Sequence, residues 1–281
     1  MKKVRITCDS TCDLTAELYQ KYADEVVALC VTLGEDLKRD GIDISATDIF
    51  EYVAKTGVLP KTSAVSIGEY EEVFKKYVDD GDEVVHINIS SELSACHQNA
   101  RLAAEEVGNV YVVDSKNLST GSGLLVIRAK ELAEEGLSAS EIKEKLDEIK
   151  EKVDASFVLQ TLDYLQKGGR CSSVVAFGAN LLKLRPEIVV ENGKMDVARK
   201  YRGSAEKSIL DYVRGRLEGR DDIDTSRIFV THSHAPAEIV EKVKELVIEL
   251  HPFEEVIETL AGCTITSHCG KDCLGVLFFK K

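Results

Sequence analysis

Proline is scarce in this sequence of 281 residues, and acidic residues outnumber basic ones. It contains only 4 prolines, and no segment is polar or repetitive enough to indicate disorder. Its 36 lysines and arginines are outnumbered by 49 aspartates and glutamates, which gives a formal net charge of −13. Because so acidic a chain repels phosphate backbones and anionic lipid surfaces, we predict that it binds no nucleic acid.

Long hydrophobic runs are also absent. The uncharged apolar stretches, such as residues 122–127, are far shorter than the roughly 20 residues that span a bilayer. Residues 1–7 are too few and too charged to hold the apolar centre of a signal peptide. We therefore expect a cytoplasmic protein that makes no stable membrane insertion.

The eight cysteines contain no CxxC pair, and in a cytosolic chain we expect them to be free thiols. Near the C-terminus, Cys263, His268, Cys269 and Cys273 fall close together. Their spacing is only a loose match to a zinc site, which needs four ligands at compatible positions. The sequence therefore predicts no metal.

The order of apolar runs and helical patterns predicts an α/β protein of two domains. In residues 1–154, strands alternate with helices, which is typical of a parallel, Rossmann-like sheet covered by helices. In residues 155–281, a hairpin that turns at Asn192-Gly193 is followed by two strand–helix units, which indicates a mixed sheet. We place the boundary between residues 154 and 155.

Some elements are predicted with definite bounds. Apolar periodicity predicts helices over Ile67–Val78, Ala237–Leu250 and Leu14–Tyr22, the last with Asp13 as its N-cap. The continuous apolar run Val26–Val31 predicts one buried parallel strand.

Serine and threonine are concentrated in the loops that follow the predicted strands. In open α/β sheets, ligands bind at this edge of the sheet. Many such hydroxyls only cap helices, but together with free helix N–H groups they also form anion sites. Several hydroxyl-rich loops at one edge predict an oxyanion ligand, either a carboxylate or a phosphate. The loops are residues 9–13, 60–66, 90–94 and 114–119.

Positive groups that could meet this anion come from the second half. Arg170 follows two glycines, which let the backbone approach a ligand closely, and Arg202 lies between a strand and a helix. Arginine suits bidentate binding of carboxylate or phosphate, although an arginine beside a glycine turn is often only a surface residue. Among the histidines, His268 is the best candidate donor to an anion because Thr266 and Ser267 adjoin it.

No catalytic motif stands out. The sequence has no G-x-S-x-G elbow, no H-E-x-x-H pair and no G-x-x-x-x-G-K-[ST] loop. We therefore assign no catalytic residue and predict a binding protein. The alternative is a hydrolase or acyltransferase that uses Ser94 with His268.

The sequence resembles the DegV family, which includes the bacterial fatty-acid-binding FakB proteins, in motifs spread in order along the chain. These motifs are Asp9-Ser10-Thr11-Cys12-Asp13-Leu14, Lys61-Thr62-Ser63-x-x-Ser66-x-Gly68, Ser90-Ser91-x-Leu93-Ser94, Asp114-Ser115, Leu165-x-Lys167-Gly168-Gly169-Arg170 and Tyr201-Arg202-Gly203. Each motif alone is weak, but their order and spacing together are specific.

The resemblance implies a carrier rather than an enzyme, with a lipid tunnel at or near the junction of the two domains. Such a carrier encloses one long-chain fatty acid, uses no other cofactor, and presents the carboxylate to a separate fatty acid kinase that forms acyl-phosphate for phospholipid metabolism. The carboxylate contacts that the resemblance implies are Thr62, Ser63, Ser94 and His268. The residues implied near the head group or the partner surface are Arg170 and Arg202.

This chain departs from the family pattern at two places. Residues 95–97 read Ala-Cys-His where the family usually has Gly-Thr-Tyr. The loop after His268 reads Cys-Gly-Lys-Asp instead of x-Gly-Pro-Gly, which removes a rigid turn. Apolar runs at residues 124–125, 174–177 and 181–182 could line a tunnel, but most apolar runs are ordinary core.

Overall fold

The computed structural model describes residues 2–175 and 184–281 of the chain. The described strands are β1 (Val4–Asp9), β2 (Glu25–Val27), β3 (Cys30–Leu33), β4 (Asp36–Arg39), β5 (Lys61–Ser63), β6 (Glu83–Asn88), β7 (Val110–Asp114), β8 (Val153–Val158), β9 (Leu184–Glu191), β10 (Lys194–Arg202), β11 (Ile223–His232), β12 (Glu255–Leu260) and β13 (Leu274–Lys280). The described α-helices are α1 (Ala16–Tyr22), α2 (Ala46–Thr56), α3 (Ile67–Val78), α4 (Cys96–Val107), α5 (Thr120–Glu134), α6 (Ala139–Ile149), α7 (Asp163–Gly168), α8 (Ser172–Val175), α9 (Ala205–Leu217), α10 (Ala237–Leu250) and α11 (Cys263–Cys269). Short 3₁₀ helices cover Ser10–Cys12 and Lys150–Lys152.

The first half contains a four-stranded sheet in the order β2-β1-β6-β7. Its three strand pairings are all parallel. Most residues of the two inner strands are buried, as expected for strands inside a parallel sheet, and Val84, Val85 and Ile87 of β6 are fully buried. The predicted parallel sheet is confirmed.

The second half contains a mixed six-stranded sheet in the order β10-β9-β8-β13-β11-β12. Only β11 and β12 pair in parallel, and the other pairings are antiparallel. The β9–β10 hairpin turns at Asn192 and Gly193, both with positive φ, as an Asn-Gly turn requires. The predicted mixed sheet is confirmed, whereas the boundary between residues 154 and 155 stays a prediction and falls inside β8.

The run Val26–Val31 is not the single parallel strand that we predicted. It divides between β2, which pairs in parallel with β1, and β3, which lies in a separate antiparallel sheet of order β4-β3-β5. The break falls at Leu29, whose N–H donates to the Ser10 hydroxyl and whose carbonyl accepts from the Asp40 N–H. Because loop groups satisfy this backbone, the ladder is interrupted although the side chains stay apolar.

The predicted start of the first helix is also wrong. Asp13 has a left-handed backbone with φ of 51°, and α1 begins at Ala16 with Thr15 as its N-cap. The Thr15 hydroxyl accepts from the Leu18 N–H at 3.3 Å. Asp13 instead binds groups from elsewhere in the chain, as described below, so its carboxylate is not free to cap α1.

The main hydrophobic core is shared by both halves of the chain. It includes Ile6 and Phe74 from the first half and Leu277 from the second. Helix α5 packs against strands of both the four-stranded and the six-stranded sheets, and its Leu124 and Leu125 are core residues. Of the other apolar runs considered above, residues 176–177 and 181–182 lie outside the described residues. No helix within the described ranges combines the length and apolarity needed to cross a bilayer.

Candidate functional site

A cavity lies between the first-half loops, helix α11 and the six-stranded sheet. About 90 Å³ of it is open to the centre of a water molecule, and the total is about 870 Å³ when the gaps between atoms and the open space at its mouth are counted. Most of its wall is apolar. The larger apolar side chains on the wall are Leu29, Ile89, Leu93, Leu118, Phe157, Leu165, Met195, Ile265 and Leu277. A wall of this composition favours a ligand with a long hydrocarbon part.

Polar groups from distant parts of the sequence meet on the cavity wall. Thr62 lies on the edge strand β5 and His268 lies on α11, and the Thr62 Oγ1 is 2.8 Å from the His268 Nε2. Ser63, Ser94 and Arg170 line the same cavity. The structure therefore brings together five of the six residues proposed for the head group, although their contact with a carboxylate stays a prediction.

His268 is held in its neutral form. Burial lowers the pKa of His268 to about 4, and the nearby charge of Arg170 acts in the same direction. The His268 Nδ1 is buried and has no hydrogen-bond partner among the described residues. The ring lies against Gly168, where a Cβ would come within 2.4 Å of Nδ1. A glycine at position 168 is thus required for this position of the ring.

Ser94 and His268 are hydrogen-bonded to other groups among the described residues and not to each other. The Ser94 hydroxyl donates to the Cys96 Sγ and accepts from the Cys96 N–H, each at 3.2 Å. Burial, with the nearby charge of Asp9 as a smaller cause, raises the pKa of the Cys96 thiol to about 12. The His268 Nε2 meets Thr62 instead. None of these contacts activates Ser94 as a nucleophile.

Two buried carboxylates from the first half hold the N-terminus of α11. The Asp40 Oδ1 accepts from the Cys263 N–H at 2.7 Å, and its Oδ2 accepts from the Thr264 N–H at 3.0 Å. The Asp13 Oδ1 accepts from the Gly262 N–H at 2.9 Å. Carboxylates stabilise a helix N-terminus because they satisfy its free donors and complement its dipole. These bonds fix the helix that carries His268.

Sequence reasoning missed this arrangement. Asp13 belongs to a motif noted above, but its local position indicates a helix cap rather than a partner 249 residues away. Its second carboxylate oxygen accepts from the Ser119 hydroxyl, and Ser119 lines the cavity. Burial is the main cause that raises the pKa of the Asp13 carboxyl well above its ordinary range.

A second cavity adjoins the first and is surrounded by cations. About 220 Å³ of it is open to the centre of a water molecule, and it shares Thr62, Arg170 and His268 with the first cavity. Lys61 and Lys167 also line it, and its described lining includes no acidic residue. In a chain whose net charge is −13, this local excess of positive charge favours an anion beside the first cavity.

Arg170 and Arg202 lie in different surroundings. Arg170 borders both cavities, and its Nη1 donates to the Gly168 carbonyl at 2.6 Å. Arg202 is exposed at the end of β10 and lies outside the described linings of both cavities. Of the two roles considered for Arg202, its position suits a partner surface better than a ligand contact.

The loop after His268 is held by Ser233. The Ser233 hydroxyl donates to the Gly270 carbonyl and accepts from the Cys273 N–H, and the Ser233 carbonyl accepts from the Asp272 N–H. Asp272 has a φ of 61°. These bonds define the turn that Lys271 and Asp272 make in place of a Pro-Gly turn.

Cys263, His268, Cys269 and Cys273 are not gathered into one cluster of possible metal ligands. The Cys263 Sγ donates to the Ile44 carbonyl at 3.2 Å. Within residues 2–175 and 184–281, no three His, Cys, Asp or Glu side chains gather closely enough to hold a metal ion. All eight cysteines are free thiols, as predicted.

Comparison with known proteins identifies the family. The profile described as "Uncharacterised protein, DegV family" matches residues 3–281. A DegV domain-containing protein of Clostridium acetobutylicum is 31% identical over 285 residues, which cover 100% of both chains.

Solved structures agree with this match. A DegV family protein from Thermus thermophilus, described as fatty-acid binding, is similar at a TM-score of 0.88 and 32% identity, covering 99% of this chain and 100% of that one. The Streptococcus pneumoniae Fatty Acid Kinase (Fak) B3 protein, loaded with linoleic acid, shares the fold at a TM-score of 0.85 and 21% identity, covering 99% of this chain and 100% of that one. The resemblance inferred from the motifs is confirmed, and the chain belongs to the DegV family.

Proposed function

We propose that this protein is an intracellular carrier that encloses one long-chain fatty acid. The observation that carries the proposal is a cavity with a largely apolar wall that also contains the Thr62–His268 pair. The fatty-acid binding described for the Thermus thermophilus relative supports it. The carboxylate contacts in this proposal are Thr62, Ser63, Ser94 and His268.

The energetics suit this division between chain and head group. Each buried methylene contributes about 0.8 kcal/mol, so a dozen contribute on the order of 10 kcal/mol before the cost of ordering the ligand. The head group then needs only a few donors and a nearby cation to fix its position. Neutral His268 and the hydroxyls offer the donors, and Arg170 offers the cation.

We further propose that the bound carboxylate is presented to a separate fatty acid kinase. The partner would supply the nucleotide site, since the sequence has no G-x-x-x-x-G-K-[ST] loop. Support comes from the second cavity, where Lys61, Lys167 and Arg170 favour an anion beside the same His268. Exposed Arg202 is proposed for the partner surface. In this scheme the protein orients the carboxylate and has no catalytic residue of its own.

The direct test is native mass spectrometry of the purified protein, followed by denaturation and lipid extraction. A carrier should show one adduct of fatty-acid mass, and the double variant Ser94→Ala with Thr62→Val should lose it while staying folded. Thr32→Val is a matched control, because Thr32 lies in the same three-stranded sheet but does not line the cavity. A wild-type protein that carries no lipid, and takes up no palmitic acid when offered, would contradict the proposal.

Turnover separates a carrier from an enzyme. The loaded protein with ATP alone should form no acyl-phosphate, whereas addition of a fatty acid kinase should produce it. In that assay Arg202→Ala should slow product formation and leave the bound lipid in place. Release of product without a kinase would favour the hydrolase or acyltransferase alternative.

A further inference from the structure

Thr264 is unusual among the polar residues on the cavity wall. It lies in the first turn of α11, four residues before His268, and it lines the same cavity. The residue is 4% exposed. Its Oγ1 has no hydrogen-bond partner among the described residues. A hydroxyl buried in this way costs free energy unless a bound molecule satisfies it.

Thr264 differs from the other hydroxyl residues of α11 in its hydrogen bonds. Two other hydroxyls on the same helix bond to the backbone near its start: Thr266 donates to the Ala261 carbonyl at 3.2 Å, and Ser267 to the Cys263 carbonyl at 2.7 Å. The Thr264 hydroxyl makes no such bond to the backbone of the described residues. The Thr264 N–H donates to Asp40, so the hydroxyl is the donor of this residue that lacks a hydrogen-bond partner among the described residues.

The other buried hydroxyls on the wall are already paired. Each of these bonds is internal to the protein: Ser119 to Asp13, Ser156 to Tyr212, Thr231 to Thr120 and Thr259, and Ser233 to Gly270. Two more buried hydroxyls without a partner, Thr11 and Ser208, do not line the cavity. Thr264 is therefore the one buried hydroxyl on the described wall that is available to a ligand.

We propose that Thr264 is a specificity residue for fatty acids that carry a second polar group, a hydroxyl or a keto oxygen, near the carboxyl end. This inference rests on the proposed fatty-acid carrier function. Side chains four residues apart on a helix have Cβ atoms about 5–6 Å apart. A carboxylate at His268 therefore brings a substituent a few carbons along the chain beside Thr264. An unsubstituted chain would leave this hydroxyl unpaired.

The test compares the affinities of the delipidated protein for palmitic acid, 3-hydroxypalmitic acid, 5-hydroxypalmitic acid and 16-hydroxypalmitic acid. For each protein, the affinity for a hydroxy acid is divided by the affinity for palmitic acid. For the 3- or the 5-hydroxy acid, this ratio should be about fivefold higher in the wild type than in Thr264→Val. Valine keeps the shape of threonine and removes only the polar group. Thr264→Ser should restore the preference. The 16-hydroxy acid should gain nothing from Thr264, because its hydroxyl lies at the far end of the chain.

The outcomes distinguish this inference from the function on which it rests. If the wild type and Thr264→Val bind palmitic acid but show the same ratio for every hydroxy acid, the role of Thr264 is overturned and the carrier function stands. If the wild type binds none of the four acids, both are overturned. A melting temperature of delipidated Thr264→Val at or above that of the wild type would show that a changed ratio does not come from misfolding.

Discussion

The Thr62 hydroxyl and the His268 ring are 206 residues apart in the sequence, and Oγ1 lies 2.8 Å from Nε2. This contact joins the small antiparallel sheet to α11 across the cavity wall. It orients the imidazole by the one ring nitrogen that is bonded, since Nδ1 has no partner among the described residues. The position of His268 therefore depends on Thr62.

A double-mutant cycle on this pair should measure the coupling directly. We expect Thr62→Val and His268→Asn each to lower the free energy of unfolding, and the double variant to lose about 1 kcal/mol less than the sum of the two. Urea denaturation of the delipidated proteins gives the three values. A cycle with no coupling would mean that the 2.8 Å contact contributes nothing to stability. A cycle of Thr32→Val with His268→Asn is the control and should be additive.

The stability of the folded protein should depend on pH through His268. Its pKa is lowered to about 4, mainly by burial. In the unfolded chain an ordinary histidine takes up a proton near pH 6.5. As pH falls from about 6.5 toward 4, the unfolded state binds this proton and the folded state does not, so stability decreases. Above about pH 6.5 the histidine is neutral in both the folded and the unfolded state, so none of this stability is lost.

The measurement is the free energy of unfolding of the delipidated protein at pH 7 and pH 4.5. His268→Asn should lose less stability than the wild type between these two values, because the variant lacks the titrating group. Thr62→Val keeps the buried ring and should follow the wild type. Identical losses in the wild type and His268→Asn would refute the assignment.

Gly168 should tolerate no side chain. A Cβ at this position would come within 2.4 Å of the His268 Nδ1, and the ring cannot retreat easily because it is packed and bonded to Thr62. We expect Gly168→Ala to destabilise the fold by about 1–3 kcal/mol and to weaken palmitic acid binding. Gly68→Ala is the control, since a Cβ there meets nothing within 4 Å. Wild-type affinity in Gly168→Ala would show that the ring position is unimportant for binding.

The elements with strong local signals were predicted well. Helix α3 has the predicted bounds Ile67–Val78, and its capping box between Ser66 and Glu69 explains why its start is sharp. Helix α10 also matches its prediction, Ala237–Leu250. The run Val26–Val31 was misread because hydrophobicity alone does not reveal where backbone hydrogen bonds change from one sheet to another.

The site was predicted only in part, because some of its contacts join residues that are far apart in the sequence. The family resemblance implied Thr62, Ser94 and His268, and the structure places all three on one cavity wall. No local pattern indicates that Asp40 binds α11, because that contact joins residues 223 and 224 positions apart. The unpaired hydroxyl of Thr264 was equally invisible, since only the packed structure shows which hydroxyls have partners.

Asp40 should couple the stability of α11 to ligand binding. Its buried carboxylate accepts the Cys263 and Thr264 N–H groups and the Ser10 hydroxyl. Asp40→Ala leaves these donors unsatisfied, and hydrogen bonds to a charged group are worth about 1.5–3 kcal/mol each. We expect a loss of about 2–4 kcal/mol in the free energy of unfolding, together with weaker palmitic acid binding, because α11 carries His268.

Asp43→Ala provides the matched control for Asp40→Ala. Asp43 is close in sequence but forms an exposed pair with Arg39, and exposed pairs contribute about 0–1 kcal/mol. Urea denaturation gives the stability of each variant, and fluorescence displacement gives its affinity for palmitic acid. If Asp40→Ala lost stability and kept wild-type affinity, α11 would not need its N-terminal carboxylates to position His268. The geometry predicts that Asp40→Ala loses both stability and affinity for palmitic acid, and that Asp43→Ala keeps both.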